Sequence, residues 1–153
     1  MLQIDVLAEL LRILHRQGIH TAVDTAGCVP WEYFARILPD TDCFLYDIKC
    51  VDSALHRALT GQDNELIRTN YEKLLLTGKQ IIVRVPVVPA YNDVGREMEH
   101  VVTYLQKYRP EQVEFLPYHR LGEGKSEALG RTKFTADAPS ADRIAFLKQL
   151  YSQ

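Results

Sequence analysis

Apolar residues recur along this chain in two rhythms, and the switches between them predict its elements. Ile4, Leu7, Leu10, Leu11 and Leu14 share one helical face, so the spacing predicts a helix over 4–17 with Gly18 as its stop. The short apolar run TAVDTAG, 21–27, reads as a strand, and Val29-Pro30 opens a second helix over 30–37. A second strand, CFLYDIK at 43–49, leads into the connection VDSALHRALTG. Residues 64–77 form a helix with Asn64 as its N-cap and Gly78 at its end. KQIIVRVPVVP, 79–89, is a third strand that Pro86 and Pro89 bring to a stop. Met98, Val101, Val102 and Leu105 mark a helix over 94–108, and VEFLPYH, 113–119, is a fourth strand. After a loop, Ser140 caps a last helix that turns Ile144, Leu147 and Leu150 inward.

The order αβαβαβαβα, with short and mostly unalternating apolar strands, predicts an α/β fold with a parallel sheet buried on both faces. Right-handed crossovers coil such a sheet into part of a barrel or into an open doubly wound sheet. Four strands do not close an eight-stranded barrel. Because the chain opens on a helix, it is expected to be the back portion of a larger α/β unit, with residues 1–153 as one domain.

Composition narrows the class only slightly. At 153 residues, 46% apolar, 25% charged and a net charge of -2, the chain has no basic footprint for nucleic acid. No apolar run approaches the ~20 residues of a membrane span. The opening MLQIDVLAELL carries Asp5 and Glu9 where a signal peptide needs basic residues, which predicts a cytoplasmic protein. Cys28, Cys43 and Cys50 match neither a disulfide framework nor a common metal-ligand spacing, and are expected to be structural. Cys50, next to Lys49, is the one with a reason for thiolate character.

The chemistry gathers at the C-terminal ends of the strands, where parallel α/β folds place their sites. Those ends carry Asp24-Thr25, then Asp47 and Lys49, then Arg84, then Tyr118 and His119. Asp47 and Lys49 are two apart, so they share a face and can meet one ligand: an anion at the lysine, an ammonium or cation at the aspartate. Each residue also has an ordinary structural role open to it: Asp24 as a helix cap, Asp47–Lys49 as a rim ion pair, Arg84 as a solvated strand end, His119 as a hydrogen-bonded loop residue. Four polar strand ends on one edge favour a polar small-molecule pocket.

Several motifs occur in order: Asp-Thr-Ala-Gly at 24–27, Tyr-Asp-Ile-Lys at 46–49, Thr-Gly at 60–61 with Asn64, and Arg84 to Pro89 with Asn92-Asp93. Leu116-Pro117-Tyr118-His119, Leu121-Gly122 and Lys125 follow them. Over nearly its whole length the chain resembles the pyruvate formate-lyase activating enzyme and its relatives, the glycyl-radical-enzyme activases of the radical S-adenosylmethionine superfamily. The resemblance implies the last four parallel strands of a six-stranded partial (β/α) TIM-like barrel. It implies S-adenosylmethionine as cofactor, a 4Fe-4S cluster that cleaves it reductively, and a glycyl radical enzyme of the pyruvate formate-lyase type as client. A flavodoxin or ferredoxin-type reductant and an anaerobic setting come with it.

By the same resemblance Asp47 and Lys49 hold the methionine end of the cofactor, and His119 contacts its adenosyl part. Arg84 faces the cofactor or the incoming peptide. Asp24, Thr25, Asp47 and the carbonyl of Leu45 match a monovalent cation site, in which the cation screens Asp47 from the cofactor carboxylate. The C-x-x-x-C-x-x-C loop and the G-G-E-P stretch are not in this sequence, and in relatives the latter comes just before a Leu-Gln like Leu2-Gln3. This piece is therefore expected to lack cluster ligands, to be inactive alone, and to expose a sheet edge prone to self-association. Two other readings stand beside it: a non-catalytic half-barrel that binds a partner, and a Schiff-base lyase or aldolase using Lys49. Asp47 beside Lys49 disfavours the last.

Overall fold

A computed structural model describes residues 1–120, 128, 130 and 135–153. Leu121, Gly122 and Lys125 of the motif series lie outside the described residues. The elements run α1 (Ile4–Arg16), β1 (Ala22–Thr25), α2 (Trp31–Ile37) with a 3-10 turn (Leu38–Asp40), and β2 (Cys43–Asp47). They continue with α3 (Ser53–Thr60), α4 (Glu65–Leu75), β3 (Gln80–Val87), α5 (Glu97–Tyr108), β4 (Gln112–Pro117) and α6 (Ala141–Tyr151).

The four strands pair in parallel in the order β1-β2-β3-β4. Chain order and spatial order coincide, so right-handed crossovers put every connecting helix on the same side of the sheet. That decides between the two topologies left open above in favour of a partial barrel. It also corrects the expectation of a sheet buried on both faces. Along β3, Ile81, Val83, Val85 and Val87 are buried against the helices, while Ile82, Arg84 and Pro86 stay half-exposed on the concave face. On β2, Phe44 and Tyr46 face the helices, and Leu45 and Asp47 face the concavity. The helical side is filled by an aromatic run in which Phe34 meets Tyr46 at 6.3 Å between ring centroids and Tyr46 meets Tyr71 at 5.6 Å.

Several local readings change with the fold in hand. VDSALHRALTG contains a helix, α3, bounded by Asp52, whose side chain accepts the Leu55 N–H at 2.7 Å, and by left-handed Gly61. Both are ordinary start and stop signals. Asn64 occupies the N-cap position of α4, but its side chain makes no cap hydrogen bond; it is buried and serves another loop. Pro86 does not end β3, because β2 has already ended at its level. The Arg84 carbonyl points toward β2 and accepts from Ile48 N–H at 3.0 Å, so two residues on the missing Pro86 N–H faces the same, strand-free side. The fourth strand ends at Pro117, two residues short of His119.

Leu10 is not core. It is 49% exposed and lines, with Leu7, Leu11 and Leu14, an open groove of about 450 Å³ between α1 and the free edge of β1. No helix among the described residues is long and apolar enough to cross a membrane.

Asp42 ties the starts of β1 and β2 together, accepting the Thr21 N–H at 2.8 Å and the Thr21 hydroxyl at 3.2 Å. The Thr21 amide, opposed by slight burial and helped by the Thr21 hydroxyl and the nearby His20 and His15, holds this carboxyl below the ordinary carboxylate value. A depressed folded-state value contributes stability that is present above the unfolded value, near pH ~4, and is lost as pH falls through the folded value. Asp42→Asn is expected to flatten this acid limb; urea midpoints measured from pH 5 down to 2 check it, and parallel limbs for both proteins would refute it.

Candidate functional site on the concave face

Register brings the charged residues together. Asp24 lies opposite Leu45, and Asp47 opposite Arg84, which in turn lies opposite Glu114. Arg84 is not a solvated strand end: it stands inside β3, and its guanidinium bridges Asp24 and Asp47. Nη2 donates to Asp47 Oδ1 at 2.9 Å and to Asp24 Oδ1, and Nε donates to Asp47 Oδ1 at 3.2 Å. Lys49 Nζ reaches the other oxygen of Asp47 at 3.3 Å. Partial burial lowers the Arg84 pKa, but the hydrogen bonds and charges of Asp47 and Asp24 outweigh it and leave the pKa raised.

Asp24, Asp47, Lys49 and Arg84 thus form a charge-balanced group on the open face, and the middle of it is the least exposed: 20% for Arg84 and 24% for Asp47, against 60% for Asp24. Such an arrangement is complementary to a zwitterion, whose ammonium and carboxylate can replace the internal partners one for one. Thr25 is spent locally, since its hydroxyl accepts the Gly27 N–H at 3.0 Å.

Beyond the strand ends, Lys49, Leu59, Thr60, Pro86, Val88, Tyr91, Asn92 and Tyr118 line a largely apolar cleft of about 240 Å³. Tyr118 continues the sheet by donating its N–H to Val87 O at 3.1 Å. His119, one residue further, is exposed and makes no hydrogen bond or ion pair with Asp47, Lys49 or Arg84. Cys50 is buried rather than reactive: burial, with Glu97 and Asp52 nearby, pushes its thiol up to about 12. Cys43 is buried and Cys28 exposed. Among the described residues no group of three or more His, Cys, Asp or Glu side chains is placed to hold a metal ion.

The motif glycine and tyrosine turn out to be mutual neighbours. Gly27 adopts φ +74° and sits so close to the Tyr46 ring that a β-carbon there would come within 1.7 Å of the Tyr46 hydroxyl oxygen. That hydroxyl donates to Ile67 O at 2.7 Å, and Asn70 Nδ2 donates to Gly27 O at 2.8 Å and Val29 O at 2.7 Å. Asn70 was not marked in the sequence as part of this arrangement; only its position on the inner face of α4 hinted at it.

Singly wound parallel strands, with helices outside and charges inside at the C-terminal ends, define a partial β/α barrel. A domain of the pyruvate-formate lyase-activating enzyme from Bacteroides vulgatus ATCC 8482 superposes with a TM-score of 0.82 at 24% identity, covering 99% of this chain and 86% of that one. That likeness gives the fold: a four-stranded part of a parallel β/α barrel. No family model matches the chain. The 4-hydroxyphenylacetate decarboxylase activating enzyme of Clostridioides difficile (strain 630) is 34% identical over 144 residues, 93% of this chain and 46% of the relative. The choline trimethylamine-lyase activating enzyme of Oleidesulfovibrio alaskensis is 36% identical over 134 residues, 85% of this chain and 43% of the relative. Over most of its own length the chain is similar to glycyl-radical-enzyme activating enzymes, and it spans about half the length of these curated relatives.

Proposed function

We propose that this chain is the S-adenosylmethionine-binding part of an activase that generates a glycyl radical on a partner enzyme of the pyruvate formate-lyase type. The observation that carries this reading is the Asp47–Lys49–Arg84 cluster on the concave face, in the motif order of the family. Asp47 receives the ammonium of the methionine end, and Lys49 and Arg84 receive its carboxylate, each exchanging an internal ion pair for one to the ligand. His119, exposed two residues beyond β4, turns toward the adenosyl part when the ligand is seated. A monovalent cation between Asp24, Thr25, Leu45 O and Asp47 requires Arg84 to release its bridge, because the guanidinium now screens the same two carboxylates.

A 4Fe-4S cluster supplies the electron for reductive cleavage in such enzymes. The described residues do not fit one, so no step is derived through it, and the isolated chain is expected to leave the cofactor intact. A flavodoxin or ferredoxin-type reductant and a cytoplasmic, anaerobic setting complete the reading.

Joining this chain to the unmatched part of the Clostridioides difficile relative, in the relative's order, gives the test. The cluster-loaded, reduced chimera is expected to yield 5′-deoxyadenosine from S-adenosylmethionine and to raise a glycyl-radical EPR signal on the decarboxylase. A folded, cluster-loaded chimera that releases no 5′-deoxyadenosine sinks the proposal.

The free β1 edge and the leucine-lined groove beside it favour a second reading, a half-barrel that pairs with another chain there. Light scattering of the isolated chain at high concentration is expected to show a mass above the monomer, and a strictly monomeric mass would refute it. The 3.3 Å ion pair with Asp47 speaks against Lys49 as an imine-forming nucleophile, which needs a free amine lone pair.

A further inference from the structure

The turn that carries Lys49 away from β2 is gripped by three buried polar side chains from three other segments. Asn92, 3% exposed, donates from Nδ2 to Lys49 O at 2.6 Å and to Pro86 O at 2.7 Å, and its Oδ1 accepts Val88 N–H at 2.8 Å. Asn64, 1% exposed, donates to Cys50 O and Val51 O, both at 3.0 Å. Glu97, also buried, accepts the N–H groups of Val51 and Asp52 through one carboxylate oxygen. One residue before Lys49, the Ile48 N–H is fixed on Arg84 O.

Buried polar groups are costly to leave unpaired, and although Asn64 Oδ1 has no hydrogen-bond partner, the bonds these three side chains make specify one backbone geometry where apolar packing would tolerate several. Here the geometry so specified is that of a lysine whose long stem would otherwise roam. The loop holding Asn92 is itself anchored: Arg143 of α6 donates from Nε to both oxygens of Asp93, at 3.1 Å each, and from Nη1 to Glu99 at 3.1 Å. The grip therefore runs from α6 through Asp93 and Asn92 to Lys49.

We infer that Asn92, Asn64 and Glu97 are positioning residues that hold Lys49 beside Asp47. The geometric part of this stands by itself; its use in catalysis rests on the cofactor reading above. The test uses the 153-residue chain with its lysines reductively dimethylated with ¹³C, the Lys49 signal being identified by Lys49→Arg.

Asn92→Ala is expected to move the Lys49 methyl signal to the position of freely exposed lysines. It should also speed hydrogen exchange of the Val51 N–H by roughly tenfold or more, since two buried carbonyls lose their donor. Asn70→Ala removes an equally buried amide with two donated bonds, but to Gly27 and Val29, and is expected to leave the Lys49 signal in place. Glu97→Gln keeps an acceptor oxygen and should preserve the signal, whereas Glu97→Ala should displace it; this pair decides the matter if Asn92→Ala does not fold.

Folded Asn92→Ala and Glu97→Ala chains with an unmoved Lys49 signal would overturn the inference, and so would an Asn70→Ala chain that displaces it equally. Neither readout involves S-adenosylmethionine, so failure of the cofactor assignment in the chimera leaves this result separately legible.

Discussion

Gly27→Ala is expected to leave the chain largely unfolded at room temperature. The added methyl group would overlap the Tyr46 hydroxyl oxygen at 1.7 Å and the ring carbon bearing it at 2.3 Å, and Tyr46 is fully buried with no room to retreat. Displacing the ring breaks its hydrogen bond to Ile67 O and disturbs its packing on Phe34 and Tyr71. Backbone strain adds to this, because φ +74° is a left-handed conformation that costs a non-glycine residue about 1–2 kcal/mol. Overpacking a filled core adds about 1–3 kcal/mol, and the lost buried hydrogen bond about 1–3 more. A total of roughly 3–8 kcal/mol meets or exceeds much of the stability of an ordinary domain.

Gly61 provides the comparison. It has φ +81° but open space where a β-carbon would go, so Gly61→Ala should cost only the backbone part, about 1–2 kcal/mol. Circular dichroism and urea unfolding of both variants check the contrast; equal midpoints would mean that Tyr46 yields easily. Adding Tyr46→Phe to Gly27→Ala should not rescue it, because the ring carbon still lies 2.3 Å from the new methyl.

Asp47→Asn is expected to lower the 5′-deoxyadenosine yield of the chimera by roughly a hundredfold or more. Asp47 is the shared counter-ion of Lys49 and Arg84, so neutralising it leaves Lys49 without its partner and Arg84 with Asp24 alone on a partly enclosed face. Those cations then drift apart, and the group that would receive the ligand's ammonium is gone; losing about 2–3 kcal/mol of charge-assisted contact corresponds to roughly that factor. The cost in stability is smaller, about 1–2 kcal/mol, because Asp47 and its partners keep some contact with water. Binding and turnover should both fall, whereas a variant that merely loosened the fold would be restored by lowering the temperature. Wild-type turnover in the folded Asp47→Asn chimera would remove Asp47 from the site.

Much of this site was legible in the linear order of residues. A strand period followed by Asp47 and Lys49 two residues apart was enough to place both on one face, since strand geometry fixes that relation locally. The parallel α/β class followed from the same alternation of periods. Arg84 was legible as a candidate but not in its contacts, because whether it is solvated or bridges two aspartates depends on the register of β1, β2 and β3. Asn64 was legible as the N-cap position of α4 but not in what its side chain does, because its amide spans to Cys50 and Val51. A cap is a short-range pattern, and a side chain reaching 14 residues back leaves no local trace.

By itself, then, the sequence determined most element types and the strand-end placement of Asp24, Asp47 and Lys49, while its resemblance to the activases is carried by the identity and order of its motifs. The element types and strand-end placements depend on period and spacing, which act over a few residues. Only the tertiary structure decided that all helices lie on one side and that Arg84 joins Asp24 to Asp47. It alone set Gly27 against Tyr46 and brought Asn92, Asn64 and Glu97 around one turn. Each of those depends on which strands become neighbours and in what register, and that is settled by burial across the whole chain.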